Sequence, residues 1–202
     1  MVISESQDVS LALRLEWPTS LPDEAFYEFC RVNKTWRIER TAKGDLIIMV
    51  PTGGESSRRN VELIAQLHYW ASREGSGVIF DSSGGFVLPN GAIRAPDAAW
   101  VRRERLTSLT PEQKRKFVPL CPDFVVELRS PSESLVELRA KMEEYLANGA
   151  MLGWLLDPGH RKLFVYQAGF PVQQLDNPAT VSADPVLPDF VIDLRLIWEP
   201  DL

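Results

Sequence analysis

The sequence predicts one α/β or α+β domain, and three observations predict it. Short runs rich in β-branched and aromatic residues are interspersed with two long helical patterns, so strands and helices mix along the chain. The run "FVVEL" at 124–128 carries valines on both faces, as a central strand covered on both sides does. The 202 residues, 45% of them hydrophobic, suffice for one sizeable core.

In chain order, "TSLPDEAFYEFCRVN" reads as a short helix with Thr19 or Ser20 near its start. "WRIERT" and "DLIIMV" read as a hairpin turning at Ala42-Lys43-Gly44. "PTGGESSRRNVELIAQLHYWASREG" gives a glycine-rich turn and then a helix of about five turns. Its apolar positions Val61, Ile64, His68 and Ala71, with Leu63, Leu67 and Trp70 alongside, repeat at helical spacing, and Gly75 ends it. His68, on the apolar side, is expected to be a packed core histidine. Short strands "GVIFD", "GFVLP" and "AIRAPDAAWV" follow, then a basic connection over 102–116 and the strand 123–129. "SPSESLVELRAKMEEYLANGA" is the clearest helix, stopped at Gly149. "MLGWLLD" and "KLFVYQ" are strands split by a turn at Pro158-Gly159. From about residue 171 the chain becomes a proline-punctuated, loop-rich extension with a last strand at "DFVIDL", all within one domain over 1–202.

The net charge of −6 argues against a protein that coats nucleic acid non-specifically, although it leaves room for a local basic site. No apolar run reaches the roughly 20 residues of a membrane helix, and no signal peptide is visible. The two cysteines, Cys30 and Cys121, lie in unrelated segments, which suits a reducing cytoplasm. Two histidines far apart do not suggest a zinc site.

The chemistry concentrates around Glu127. Side chains alternate along a strand, so Phe124, Val126 and Leu128 share one face, and Val125, Glu127 and Arg129 the other. An ionised carboxylate beside buried surface is costly unless paired or bound to a metal. Asp97 follows Pro96, which removes a ladder donor, so it is expected at a strand edge or irregularity. Two strand-borne carboxylates that converge can hold a hard divalent cation such as Mg²⁺. A helix doubling back over the strand returns about 13.5 Å in nine residues. That offsets the roughly 16 Å from Glu127 to the helix start and sets Lys141 level with Glu127. Simpler readings stand beside these. Glu127 could pair with Arg129 or another cation, Asp97 could belong to a turn, and Lys141 could be a solvated helix lysine. Glu55 could be an acid complementing the helix dipole.

With Asp97, "VVELRSPS", "EYLANGA" and "GWLLDP" in this order, the chain resembles the Uma-type restriction-endonuclease-like family of the PD-(D/E)XK nuclease superfamily. "LPDEAFYEFC" and "PTGGESSRRN" match its N-terminal half, so the resemblance runs from about residue 17 to 198. It implies a mixed β-sheet flanked by helices. It also implies Mg²⁺ or Mn²⁺ bound by Asp97, Glu127 and the Leu128 carbonyl. The superfamily pattern places a lysine two residues after the glutamate, where this chain has Arg129. Arginine cannot act as a base. The resemblance therefore implies that the lysine has migrated to Lys141, with Arg129 left to clamp phosphate or pair with a carboxylate. Glu55 is an accessory acid candidate near the metal.

The expected function is a Mg²⁺-dependent endonuclease acting on DNA. One alternative is a catalytically idle relative that binds nucleic acid or a protein. Another is a self-associating scaffold whose dimer interface uses Trp154, Tyr166, Phe170 and Trp198, unless these are core. Arg102, Arg103, Arg105, Lys114, Arg115 and Lys116 outnumber Glu104 and Glu112 and could touch DNA backbone beside the site, or form a solvated surface. No separate recognition domain is visible, so strong sequence specificity would need a homodimer or a partner.

Overall fold

The computed structural model describes residues 12–17 and 21–202; Thr19 and Ser20 lie outside them. The elements in order are β1 (Leu13–Leu15), α1 (Asp23–Val32), β2 (Arg37–Arg40), β3 (Leu46–Met49), α2 (Gly54–Glu74), β4 (Gly77–Asp81), β5 (Phe86–Val87), β6 (Ile93–Arg94), β7 (Ala98–Arg102), α3 (Arg103–Thr107), α4 (Pro111–Arg115), β8 (Phe124–Leu128), α5 (Leu135–Ala147), β9 (Leu152–Asp157), β10 (Lys162–Gln167), β11 (Gln173–Asp176), β12 (Thr180–Ser182), β13 (Val191–Asp193) and α6 (Arg195–Trp198). No helix among the described residues is long and apolar enough to cross a membrane.

The architecture is mixed α+β. A six-stranded sheet runs β11-β10-β9-β8-β7-β4. Its β8 and β9 are parallel, joined by the crossover helix α5, and its other neighbours are antiparallel. A five-stranded sheet runs β1-β3-β2-β6-β5, and β12 and β13 form a separate ribbon. The expected single strand over "AIRAPDAAWV" is broken at Ala95-Pro96-Asp97. β6 belongs to the five-stranded sheet and β7 to the six-stranded one. Proline cannot donate to a ladder, so the chain leaves one sheet and enters the other there. Asp97 sits at that crossing.

Both faces of β8 are covered, and the alternation read from sequence holds. Phe124, Val126 and Leu128 pack into one core cluster with Leu63 and Leu67 of α2. Val125 packs into a second cluster with Leu138, Met142 and Tyr145 of α5. α1 covers the five-stranded sheet through Phe26, against Ile38, Leu46 and Ile93. Close approach of α5 to the sheet depends on Gly153, because a Cβ there would lie 2.4 Å from Met142 Cε. That approach brings the helix within side-chain reach of Glu127.

Several expectations are corrected. The buried stripe of α2 is Ser56, Leu63, Leu67 and Ala71, while Val61 and His68 face solvent. Two adjacent stripes share helical spacing, and packing against the sheet selects the one through Leu63. His68 is therefore not a core histidine. The C-terminal segment, with its short elements β11, β12, β13 and α6 between loops, packs onto the core. Ala183, Val186, Leu187, Phe190, Ile192, Leu194, Ile197 and Trp198 complete the cluster around α2. Trp154, Tyr166 and Trp198 are buried, which removes them as a dimer surface, and only Phe170 of that set is exposed.

Gly77 of β4 gives a direct test of this packing. A Cβ there would lie 2.1 Å from Nε1 of the buried Trp100. Overpacking typically costs about 1–3 kcal/mol, and a rigid indole gives way less readily than an aliphatic chain end. Gly77→Ala is expected to lower the melting temperature by roughly 5–10 °C. An unchanged melting curve would contradict the assigned β4–β7 packing.

Candidate active site

Glu127 is 2% exposed and lies on the face of β8 that α5 covers. Its Oε1 accepts from the Tyr145 hydroxyl at 3.0 Å and lies 2.9 Å from Lys141 Nζ. Lys141 and Tyr145 are four residues apart on α5, so both project onto the same strand position. No described residue donates a hydrogen bond to Glu127 Oε2. Burial pushes the Glu127 carboxyl up to about 7; Lys141 pulls it back, while Asp97 and Glu39 push it further up.

Asp97 lies across from Glu127. The antiparallel β7–β8 register pairs Ala98 with Val126; extended by one residue, it faces Asp97 toward Glu127. Directly opposed side chains in such a pair have Cβ atoms about 5 Å apart. Asp97 Oδ2 accepts the Leu128 N–H at 2.8 Å, which fixes the carboxylate against the end of β8. Its Oδ1 takes Arg37 Nη1 at 2.9 Å.

The sequence reading missed a third carboxylate, Glu39 of β2. It is 2% exposed and accepts Lys141 Nζ on Oε1 at 2.9 Å, together with the Ala95 N–H. Its Oε2 takes Arg94 Nη1, and Arg94 Nε reaches Glu144. Burial alone would raise the Glu39 carboxyl, but Lys141, Arg94 and Arg37 bring it down to about 2. Burial also opposes the charge on Lys141, yet Glu127 and Glu39 outweigh it and raise the lysine pKa. Lys141 is thus a cation held between two carboxylates, not a lysine tuned to act as a base.

Two adjoining clefts open on this cluster. One, of about 720 Å³, is lined by Arg37, Met49, Glu55, Arg59, Asp97, Leu128 and Glu133 among others. The other, of about 420 Å³, carries Glu39, Arg94 and Lys141 over Ile47, Met49 and Leu138. Met49 and Glu133 line both. No group of three or more His, Cys, Asp or Glu among the described residues forms a metal cage. Asp97 and Glu127 are a two-carboxylate donor set, which suits a cation that takes one or two carboxylates and keeps waters, as Mg²⁺ does. The open Oε2 of Glu127, beside Asp97, fits such an ion.

The sequence model described as "Uma2: Putative restriction endonuclease" matches residues 23–195, most of the chain and all of this cluster. The chain belongs to the Uma2 family. Among solved structures it is similar to a "putative nuclease belonging to DUF820" from Anabaena variabilis, at 17% identity. The TM-score is 0.68, with 80% of this chain and 89% of that one covered, and at such identity the likeness concerns the fold alone. No curated protein gives a significant match.

Within this Uma2 chain the other singled-out residues separate from the cluster. Arg129 donates through Nε to the Glu133 carbonyl and through Nη1 to both oxygens of the buried Asp157. Glu55 lines the larger cleft but is exposed and paired with Arg59 at 3.0 Å. Asp97 precedes β7 and Arg102 ends it, a separation of about 16 Å along the strand. Arg102 and Arg105 contact Asp123, Arg103 donates to the Gly75 and Gly77 carbonyls, and Lys116 pairs with Glu24 and Glu112. Lys114 and Arg115 are exposed on α4. Arg37 and Glu39, by contrast, had one sequence signal: in "RIER" they alternate with Ile38, which placed two opposite charges on one strand face.

The raised Glu127 pKa has a consequence for stability. The folded carboxyl, near 7, holds its proton more tightly than at its ordinary 4.5. The group's stabilising contribution is complete below 4.5 and is lost as pH rises through about 7. Glu39, held near 2, titrates outside that window. In metal-free buffer, Glu127→Gln should therefore gain stability relative to wild type as pH rises from 4.5 through about 7, and hold that gain above it. Thermal melts with chelator check this; a difference that stays constant or favours wild type at high pH would count against a buried, strained carboxylate.

Proposed function

We propose that this Uma2-family chain is a divalent-cation-dependent endonuclease that hydrolyses DNA phosphodiester bonds. Asp97, Glu127 and the Leu128 carbonyl would hold Mg²⁺ or Mn²⁺, and Lys141 would position the attacking water. The observation that carries the reading is the meeting of Asp97, Glu127 and Lys141 from three separate elements, with Glu127 Oε2 accepting no hydrogen bond from a described residue. A bound divalent cation would supply positive charge to the phosphate under attack and make a water more acidic.

The chain's own groups do the rest. Lys141, kept protonated by Glu39 and Glu127, donates hydrogen bonds and stabilises charge developing on the phosphate. Glu39 fixes the ammonium through Oε1 while Arg94 and the Ala95 N–H fix Glu39. The Leu128 N–H fixes Asp97, so the carboxylate need not reorganise as charge develops. Tyr145 holds Glu127 from the helix side.

The test is cleavage of supercoiled plasmid and of single-stranded DNA with Mg²⁺ or Mn²⁺, with and without chelator. Metal-dependent nicking that chelator stops is expected. A folded protein that cuts neither DNA nor RNA under either metal would overturn the reading. One observation favours the idle relative as a second reading: Arg37 already neutralises Asp97. In that case fluorescence anisotropy should still detect nucleic-acid binding.

A further inference from the structure

We propose that Arg37 is the resident cation of the Asp97 site, so that a divalent metal ion and the Arg37 guanidinium compete for one carboxylate. This rests on the reading that Asp97 and Glu127 hold the metal. Arg37 Nη1 lies 2.9 Å from Asp97 Oδ1, and its Nη2 donates to the Ala95 carbonyl and lies 4.0 Å from Glu39 Oε1. With the Leu128 N–H on Oδ2, both Asp97 oxygens already accept a hydrogen bond. Glu39, Asp97 and Glu127 face Arg37, Arg94 and Lys141, and Arg94 is shared with Glu144. A divalent ion entering that near-balanced cluster gains little unless one cation leaves.

Arg37 is the cation built to leave. Arg94 and Lys141 are each held between two carboxylates at 3.1 Å or less. Arg37 holds its aspartate through one nitrogen rather than the two-pronged fork that makes arginine–carboxylate pairs strong. Its Nε is buried with no hydrogen-bond partner, a defect that a purely structural arginine in a settled pair avoids. Its side chain is 28% exposed, against 10% for Arg94 and 11% for Lys141. It lines the larger cleft, so it has open space to move into.

The experiment is isothermal titration of Mn²⁺ into wild type, Arg37→Met, Arg37→Lys and Asp97→Asn. Arg37→Met should bind Mn²⁺ roughly tenfold more tightly than wild type, since losing one partly buried ion pair on the metal's carboxylate removes that much competition. Arg37→Lys, with a weaker pair, should fall between them, and Asp97→Asn should lose binding. Mn²⁺ should also raise the melting temperature of Arg37→Met more than that of wild type. If Asp97→Asn loses Mn²⁺ while Arg37→Met binds no more tightly than wild type, competition is wrong. Arg37→Lys keeps a charge on Asp97 and guards against a folding failure; an affinity at or below wild type there overturns the proposal as well. If wild type and Arg37→Met both fail to bind, or Asp97→Asn binds like wild type, the metal assignment itself falls.

Discussion

Asp97→Asn and Glu127→Gln should each lower metal-dependent DNA nicking by roughly a thousandfold, about 4 kcal/mol of transition-state stabilisation. Both substitutions keep the shape of the side chain. The amide oxygen introduced at position 97 can still accept the Leu128 N–H, and the one introduced at position 127 can still accept the Tyr145 hydroxyl, so the strands should stay in place. What each loses is the negative charge that a hard cation requires. Measured under Mn²⁺ on supercoiled plasmid, a variant retaining more than a tenth of wild-type activity would remove that carboxylate from the chemistry. Metal-free Glu127→Gln should fold as wild type does, and better at alkaline pH, whereas Asp97→Asn also loses its ion pair with Arg37 and should melt somewhat lower, so its activity is compared at a temperature where both proteins are folded.

Lys141→Met should lower kcat by roughly a hundredfold or more with little change in KM, the signature of an interaction made in the transition state. Methionine keeps much of the stem's packing and deletes the ammonium. The substitution has a structural cost as well. Glu39 and Glu127 lose their shared cation, and breaking a buried pair typically costs about 3–5 kcal/mol. Adding Glu39→Gln to Lys141→Met removes one of the two buried acids that Lys141 paired, lowering the excess negative charge left in the cluster, and should recover part of the melting temperature without recovering kcat. Recovery of both would show that Lys141 acts only as a structural counter-ion. Arg129→Met is the comparison. Its guanidinium is engaged with Asp157 and the Glu133 carbonyl, so its loss should reduce stability more than rate. A dead Arg129→Met beside an active Lys141→Met would return the third element to the strand.

Much of the fold was legible because its signals are local. Valines on both faces of 124–128 announced a covered central strand, and Pro96 announced the irregularity that holds Asp97. The rise per residue of strand and helix was enough to set Lys141 level with Glu127, where Nζ lies 2.9 Å from Oε1. The rest of the cluster was not legible because it is assembled across sheets. Glu39 lies 102 residues from Lys141 in sequence, and only docking of the five-stranded sheet against α5 brings them together. Arg37 arrives on the same strand for the same reason. In α2 the periodicity was right and Leu63, Leu67 and Ala71 were among the positions it named, but Val61 and His68, which repeat at the same spacing, face solvent. The aromatics of the C-terminal half were ambiguous until the segment around Phe190 and α6 was seen to cover them: Phe190 stacks on Trp154 at 6.0 Å, and Trp198 donates to the Pro178 carbonyl.

The central claim is that Asp97 and Glu127 together hold the cation that this chemistry requires. Anomalous scattering from Mn²⁺-soaked crystals of the wild-type protein tests it most directly. The expected result is a manganese peak bridging the Asp97 and Glu127 carboxylates at the Leu128 carbonyl, with Arg37 withdrawn from Asp97. Soaked crystals with no peak there, and with Arg37 Nη1 still seated on Asp97 Oδ1, would contradict it.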